Sequence, residues 1–139
     1  MRKLLVLLLI VTGCQSASDK IPTEKDGLIM VEAESFVNQS KDDVRRWYLA
    51  DMNQAPEVLP DGDGNHSATA SNQSYLEILP DTRVTHADSL VAGINFSPES
   101  GVMAVLDYKI NFTTTGRYYV WVRAYSSGAE DNSIHVGMG

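Results

Sequence analysis

From Val102 to Phe112 apolar residues recur at every second position, and from Leu106 onward the chain changes polarity at each residue. Val102, Ala104, Leu106, Tyr108, Ile110 and Phe112 fall at every second position, while Asp107, Lys109 and Asn111 take the alternate places. A period of two marks a strand with one buried face, and six apolar positions in phase leave little room for a helix. Thr113-Thr114-Thr115-Gly116 then supplies a turn, and residues 117–125 alternate again as the returning strand. Ser74-Tyr75-Leu76-Glu77-Ile78-Leu79 is a further strand, stopped by Pro80-Asp81. Leu28-Ile29-Met30-Val31 opens another that runs through Glu32-Ala33-Glu34-Ser35-Phe36. Ile134, Val136 and Met138 are in phase over residues 132–138, and weaker candidates lie near 44–49, 67–70 and 90–96. The one helical candidate is a short turn around 41–47. Seven or eight short strands at this spacing predict an all-β chain folded as an antiparallel sandwich.

The first residues read as an address rather than as part of that fold. Arg2 and Lys3 precede the apolar run Leu4-Leu5-Val6-Leu7-Leu8-Leu9-Ile10-Val11, which falls short of the ~18–20 residues a bilayer crossing needs. The run leads into Val11-Thr12-Gly13-Cys14, which resembles a bacterial lipobox, and Cys14 is the sole cysteine of the chain. The reading is a lipoprotein signal peptide over 1–13, lipidation of Cys14, and a flexible tether over 14–27. An exported, membrane-anchored protein follows, at the outer membrane or cell surface, touching the bilayer through its acyl chains alone. A secretory signal that merely contains a cysteine is the plainer alternative. The formal charge is −7, and without Arg2 and Lys3 nine basic residues face eighteen acidic ones. Such a balance argues against nucleic acid as a partner.

In the returning strand, Tyr118, Val120, Val122 and Ala124 share one side and are expected in the core. The other side lines up Arg117, Tyr119, Trp121, Arg123 and Tyr125. A row of aromatic rings and guanidinium groups suits a sugar: pyranose C–H patches stack on Tyr and Trp, and Arg forks bind hydroxyls or carboxylates. Two other readings stay open. Residues 36–60 could cover this side, making Trp121 a second-layer core residue, and Arg123 could be the ion-pair partner of a glutamate. Trp47, Tyr48 and Tyr75 are competing ring candidates.

Two stretches carry a family resemblance. Val31-Glu32-Ala33-Glu34, followed later by Gly116-Arg117-Tyr118-Tyr119-Val120-Trp121-Val122-Arg123-Ala124-Tyr125, resembles the carbohydrate-binding modules of families 6 and 35. Residues 70–139, including Tyr75-Leu76-Glu77-Ile78-Leu79-Pro80-Asp81-Thr82-Arg83 and Glu130-Asp131-Asn132-Ser133-Ile134-His135-Val136-Gly137, are similar to the C-terminal module of family 115 glycoside hydrolases. The resemblance covers roughly residues 28–139. It implies a galactose-binding-like jelly-roll β-sandwich without a catalytic centre, in which the first glutamates, here Glu32 and Glu34, help hold a structural calcium. On a strand those two carboxylates share a side, close enough to meet one hard cation or to stand as a solvated pair. In the family a further loop and strand follow the His135-Val136-Gly137 segment. The chain given stops at Gly139, so a truncated product, or a closing strand from elsewhere, is expected.

Other motifs carry less. Asp61-Gly62-Asp63-Gly64-Asn65 begins like a calcium loop, but His66 and Asn72 stand where an EF-hand requires glycine and glutamate. His66, His86 and His135 show no metal-ligand spacing. Lyase chemistry could use Tyr119 or Tyr125 with Arg123 and His135, yet no nucleophile elbow, phosphate loop or metal triad is present. The expectation is a non-catalytic polysaccharide-binding module of an exported lipoprotein, with Tyr119, Trp121, Arg123 and Tyr125 as ligand-binding residues. The alternative is a structural or protein-interaction module of a surface polysaccharide-degradation complex.

Overall fold

Leu79 and Ala50 are almost wholly enclosed, at 1% and 0% exposure, and the strands that carry them form the longest ladder among the described residues. The computed structural model describes residues 21–126 and 133–139. Cys14, the signal segment and half of the expected tether therefore lie outside the described residues, as does the Glu130-Asp131-Asn132 loop.

Among the described residues there are four short strands: β1 (Asn38–Ser40), β2 (Arg46–Asp51), β3 (Ser74–Leu79) and β4 (Val105–Asp107). They form two antiparallel ribbons, β1 with β4 and β2 with β3. In the second ribbon Trp47 faces Ile78, Leu49 faces Leu76 and Ala50 faces Tyr75. Apolar cross-strand pairs of this kind are what stabilises a two-stranded ladder. Pro80, which has no N–H to donate, follows the last pair. Single 3-10 turns at Ala33–Ser35, Ser67–Thr69 and Ser71–Gln73 are the helical content of the described residues. The chain is all-β.

Two side chains, those of Gln39 and Trp47, stitch the ribbons together. The Trp47 backbone N–H donates to Gln39 Oε1 at 2.7 Å and the Gln39 amide returns a bond to the Trp47 carbonyl at 3.2 Å. The Trp47 indole then donates to the Ala104 carbonyl at 2.7 Å, just before β4. Trp47 is thus committed to structure.

Several expected strands differ from what is found. The segment 28–36 has no ladder, because Ser35 folds back onto the Glu32 carbonyl with both its N–H (3.0 Å) and its hydroxyl (2.7 Å), closing a turn. The strand expected over 102–112 is cut to Val105–Asp107. Ala104 has φ of 46°, and a residue in left-handed conformation breaks the pleat on which alternation depends. Its backbone is fixed there by the Trp47 indole and by the bond from its own N–H to the Lys41 carbonyl (2.8 Å). The turn expected around 41–47 is not helical: Lys41 has φ of 54° and β2 begins at Arg46. Residues 117–125 and 133–139 carry no ladder at all, so the strands expected there are absent among the described residues.

The amino-terminal end of the described chain is packed rather than free. Asp26 and Gly27, both with positive φ, make a tight turn between Lys25 and Leu28. Ahead of it, the Asn111 N–H donates to the Pro22 carbonyl and the Glu24 N–H to the Asn111 carbonyl, each at 2.8 Å. Residues placed by sequence in the tether are in this way paired with the stretch after β4.

Candidate functional site

The segment 117–125 is held at its ends and open in its middle. At the near end lies Glu24, only 5% exposed. One carboxylate oxygen accepts the Thr113 and Thr114 backbone N–H groups, both at 2.9 Å, and stands 2.8 Å from the Tyr118 hydroxyl; the other accepts the Thr114 hydroxyl at 2.6 Å. The Tyr118 hydroxyl is also 2.7 Å from the Thr114 carbonyl, so its single proton serves one acceptor at a time. Bonds from the Thr114 hydroxyl, then from Tyr118 and the backbone, favour the ionised carboxylate and lower the Glu24 pKa from 4.5 to about 2. The Tyr118 ring packs edge-on against Phe112, with centroids 4.6 Å apart.

At the far end, Tyr125 stacks on the His66 imidazole, centroids 3.7 Å apart and planes 25° from parallel. Arg123 donates from a guanidinium nitrogen to the Thr69 carbonyl at 2.9 Å. Both contacts tie the segment to the 66–69 turn. Behind that turn the Tyr75 hydroxyl accepts the His66 N–H at 3.3 Å and lies 3.4 Å from Glu77. Burial, followed by the negative charge of Asp61, raises the pKa of the Glu77 carboxyl.

Between these anchors Trp121 is 92% exposed and Tyr119 75%. Residues 36–60 do not cover the indole. Val120 and Val122, expected in the core, are 66% and 53% exposed, and Ala124 is exposed as well. The reason is the absence of a ladder: without a neighbouring strand to fix its pleat, the segment presents no face to a second layer. Tyr118 alone of that row is half-buried, and Glu24 accounts for it. Among the described residues the partner of Arg123 is a carbonyl, that of Thr69, and not a glutamate. Of the lyase candidates, His135 lies against the Ser97 carbonyl at 3.2 Å, and the imidazole beside Tyr125 is that of His66.

Glu32 and Glu34 converge on one turn through different partners. Glu32 accepts the Ser71 hydroxyl at 3.0 Å and lies 3.5 Å from the Asn72 amide, while Glu34 accepts the Ser74 hydroxyl at 2.9 Å. Asn72 and Gln73 within that turn both have positive φ. Among the described residues no group of three or more His, Cys, Asp or Glu is placed to hold a metal ion. None of the described helices is long and apolar enough to cross a membrane.

Glu24 and His66 are the site residues that sequence reasoning did not single out. Glu24 sits in a polar stretch with no periodicity, and its partners lie about ninety positions away. For His66 the adjoining Asp61-Gly62-Asp63-Gly64-Asn65 turn was the nearest signal, and it carries no information on stacking.

No protein-family model matches the chain, and no solved structure matches it. A curated protein of Formosa agariphila, described as "Uncharacterized protein P23", is 55% identical over 122 residues. The match takes in 88% of this chain and 30% of that protein, so the chain spans about a third or less of the length of the relative it matches.

Proposed function

We propose that this chain is a non-catalytic polysaccharide-binding module of an exported lipoprotein, anchored through Cys14, its all-β fold being a jelly-roll sandwich of the carbohydrate-binding type. The observation that carries the reading is Trp121, which is 92% exposed, two positions along the chain from the exposed Tyr119 and flanked in sequence by Arg117 and Arg123. A large ring left in water costs apolar hydration that a stacked sugar would relieve. Tyr119 offers a second ring, Tyr125 a third already seated on His66, and Arg123 a guanidinium with donors to spare beyond the Thr69 carbonyl. At ~0.5–1.5 kcal/mol per stack beyond area burial, two or three stacks give modest affinity, suited to holding a polymer by many weak contacts.

A structural calcium belongs to the same proposal. Glu32 and Glu34 both reach the 71–74 turn, whose hydroxyls, amide oxygen and carbonyls are hard donors of the kind calcium takes. Two carboxylates supply part of the six to eight oxygens required, and the turn would supply others.

Affinity electrophoresis through gels carrying plant or algal polysaccharides tests the binding. Retardation of the wild-type chain on one glycan, lost in Trp121→Ala with the circular dichroism spectrum unchanged, is the expected result. Equal mobility with and without every glycan removes the reading and favours a protein-interaction module.

A further inference from the structure

The rings of 117–125 suit a sugar, but the backbone beneath them calls for something else. Among the described residues, none of these nine takes part in a backbone–backbone hydrogen bond. Nine consecutive residues rich in Val, Tyr and Trp, with their N–H and C=O groups unmet by other peptide groups, are a template for strand pairing. A glycan stacked on Trp121 would leave those backbone groups, Val120 and Val122 as they are.

We propose that residues 117–125 pair with the same residues of a second copy of this chain, antiparallel about Trp121. The sequence is self-complementary in that register. Trp121 faces Trp121, Val120 faces Val122, Tyr118 faces Ala124, Tyr119 faces Arg123 and Arg117 faces Tyr125. Each guanidinium meets a tyrosine ring, a favourable cation–π pairing, and no two like charges stand opposite. Sliding one copy two residues so that Val120 faces Val120 shortens the overlap and sets Arg117 against Arg123. Charge also singles out this stretch. It has two arginines and no carboxylate in a chain of net charge −7, so two acidic copies meet here with the least repulsion. The end anchors, Tyr118 on Glu24 and Tyr125 on His66, hold the segment against the body while its middle is open. A two-stranded ribbon is only marginally stable by itself, so the dimer is reversible and depends on concentration.

Sedimentation velocity and oxidative cross-linking of the full chain carrying Cys14→Ser test the pairing. The expected mass doubles as concentration rises. Adding Trp121→Cys gives a disulfide-linked dimer under mild oxidant. Tyr119→Cys gives little alone, but links at least tenfold more when mixed with Arg123→Cys, its partner in this register. The cysteine pairs report register even where one variant weakens the fold, and they need no glycan, so a failure here is separate from a failure of sugar binding. A chain that stays monomeric across the concentration range overturns the proposal. So does cross-linking that is equal for every cysteine position, which would mean association by some other surface.

Discussion

The Glu24 carboxylate lies 2.8 Å from the Tyr118 hydroxyl, joining positions 94 apart in the chain, and the same carboxylate caps the 113–116 turn between them. This clasp makes residues 22–24 part of the folded body and sets where the aromatic segment leaves it.

The clasp is ionic, so acid should open it. The folded-state pKa of Glu24 is about 2, below its ordinary value of 4.5. A depressed carboxyl pKa contributes stability that is present above pH 4.5 and is lost as pH falls towards 2. Urea melts of the wild-type chain should lose midpoint across that window more steeply than melts of Glu24→Gln, and the two curves should converge at the acid end. Parallel curves would show that the carboxylate is not the acid-sensitive group.

Glu77 should behave in the opposite sense. Its carboxyl is pushed up chiefly by burial, so its contribution is full at low pH and is lost as pH rises through its folded-state pKa. Glu77→Gln should raise the urea midpoint at pH 7 and make no difference near pH 3. A variant less stable at pH 7 would place the carboxylate's hydrogen bonding above its desolvation.

The enclosed pair should report the core. Leu79→Ala should cost ~2–5 kcal/mol, since it removes buried methyls and leaves a cavity. Ala50→Leu should cost ~1–3 kcal/mol by overpacking the position opposite Tyr75. Chemical denaturation measures both, and a loss under 0.5 kcal/mol for each, the level usual for surface changes, would show that the β2–β3 ribbon is not where the core sits.

The proposed anchor rests on a single atom, the Cys14 sulfur. Cells fed a clickable palmitate analogue should label the wild-type chain and not Cys14→Ser, which should also leave the membrane fraction. Equal labelling of both would remove the lipoprotein reading.

What the sequence disclosed was mostly local. The ribbon strand β3 was legible because Ser74–Leu79 combines strand-forming residues with a proline stop, and β2 was visible two residues early. Alternation over 102–112 overstated β4, because a period of two says nothing about Ala104, whose left-handed backbone is fixed by Trp47 from another part of the chain. Glu32 and Glu34 were placed on a strand that a turn replaces, since the Ser35 bonds that close it compete with pairing only when no neighbour strand is at hand. The exposure of Trp121 and Tyr119 matched the outward side expected of 117–125, but the equal exposure of Val120 and Val122 did not. Burial of that side depends on a neighbouring strand, and no residue pattern within the segment encodes one. Contacts such as Glu24 with Tyr118 and His66 with Tyr125 join distant positions through single polar or aromatic groups, which leave no periodic trace.

Tryptophan emission during glycan titration tests the central claim most directly, with protein held dilute so that strand pairing does not cover the ring. Trp121 is open to water, whereas the other tryptophan, Trp47, is half-buried and bonded to the Ala104 carbonyl. The account predicts a saturable blue shift on at least one polysaccharide, absent in Trp121→Ala. A wild-type spectrum that stays fixed across the panel, or a shift that survives in the variant, would contradict it.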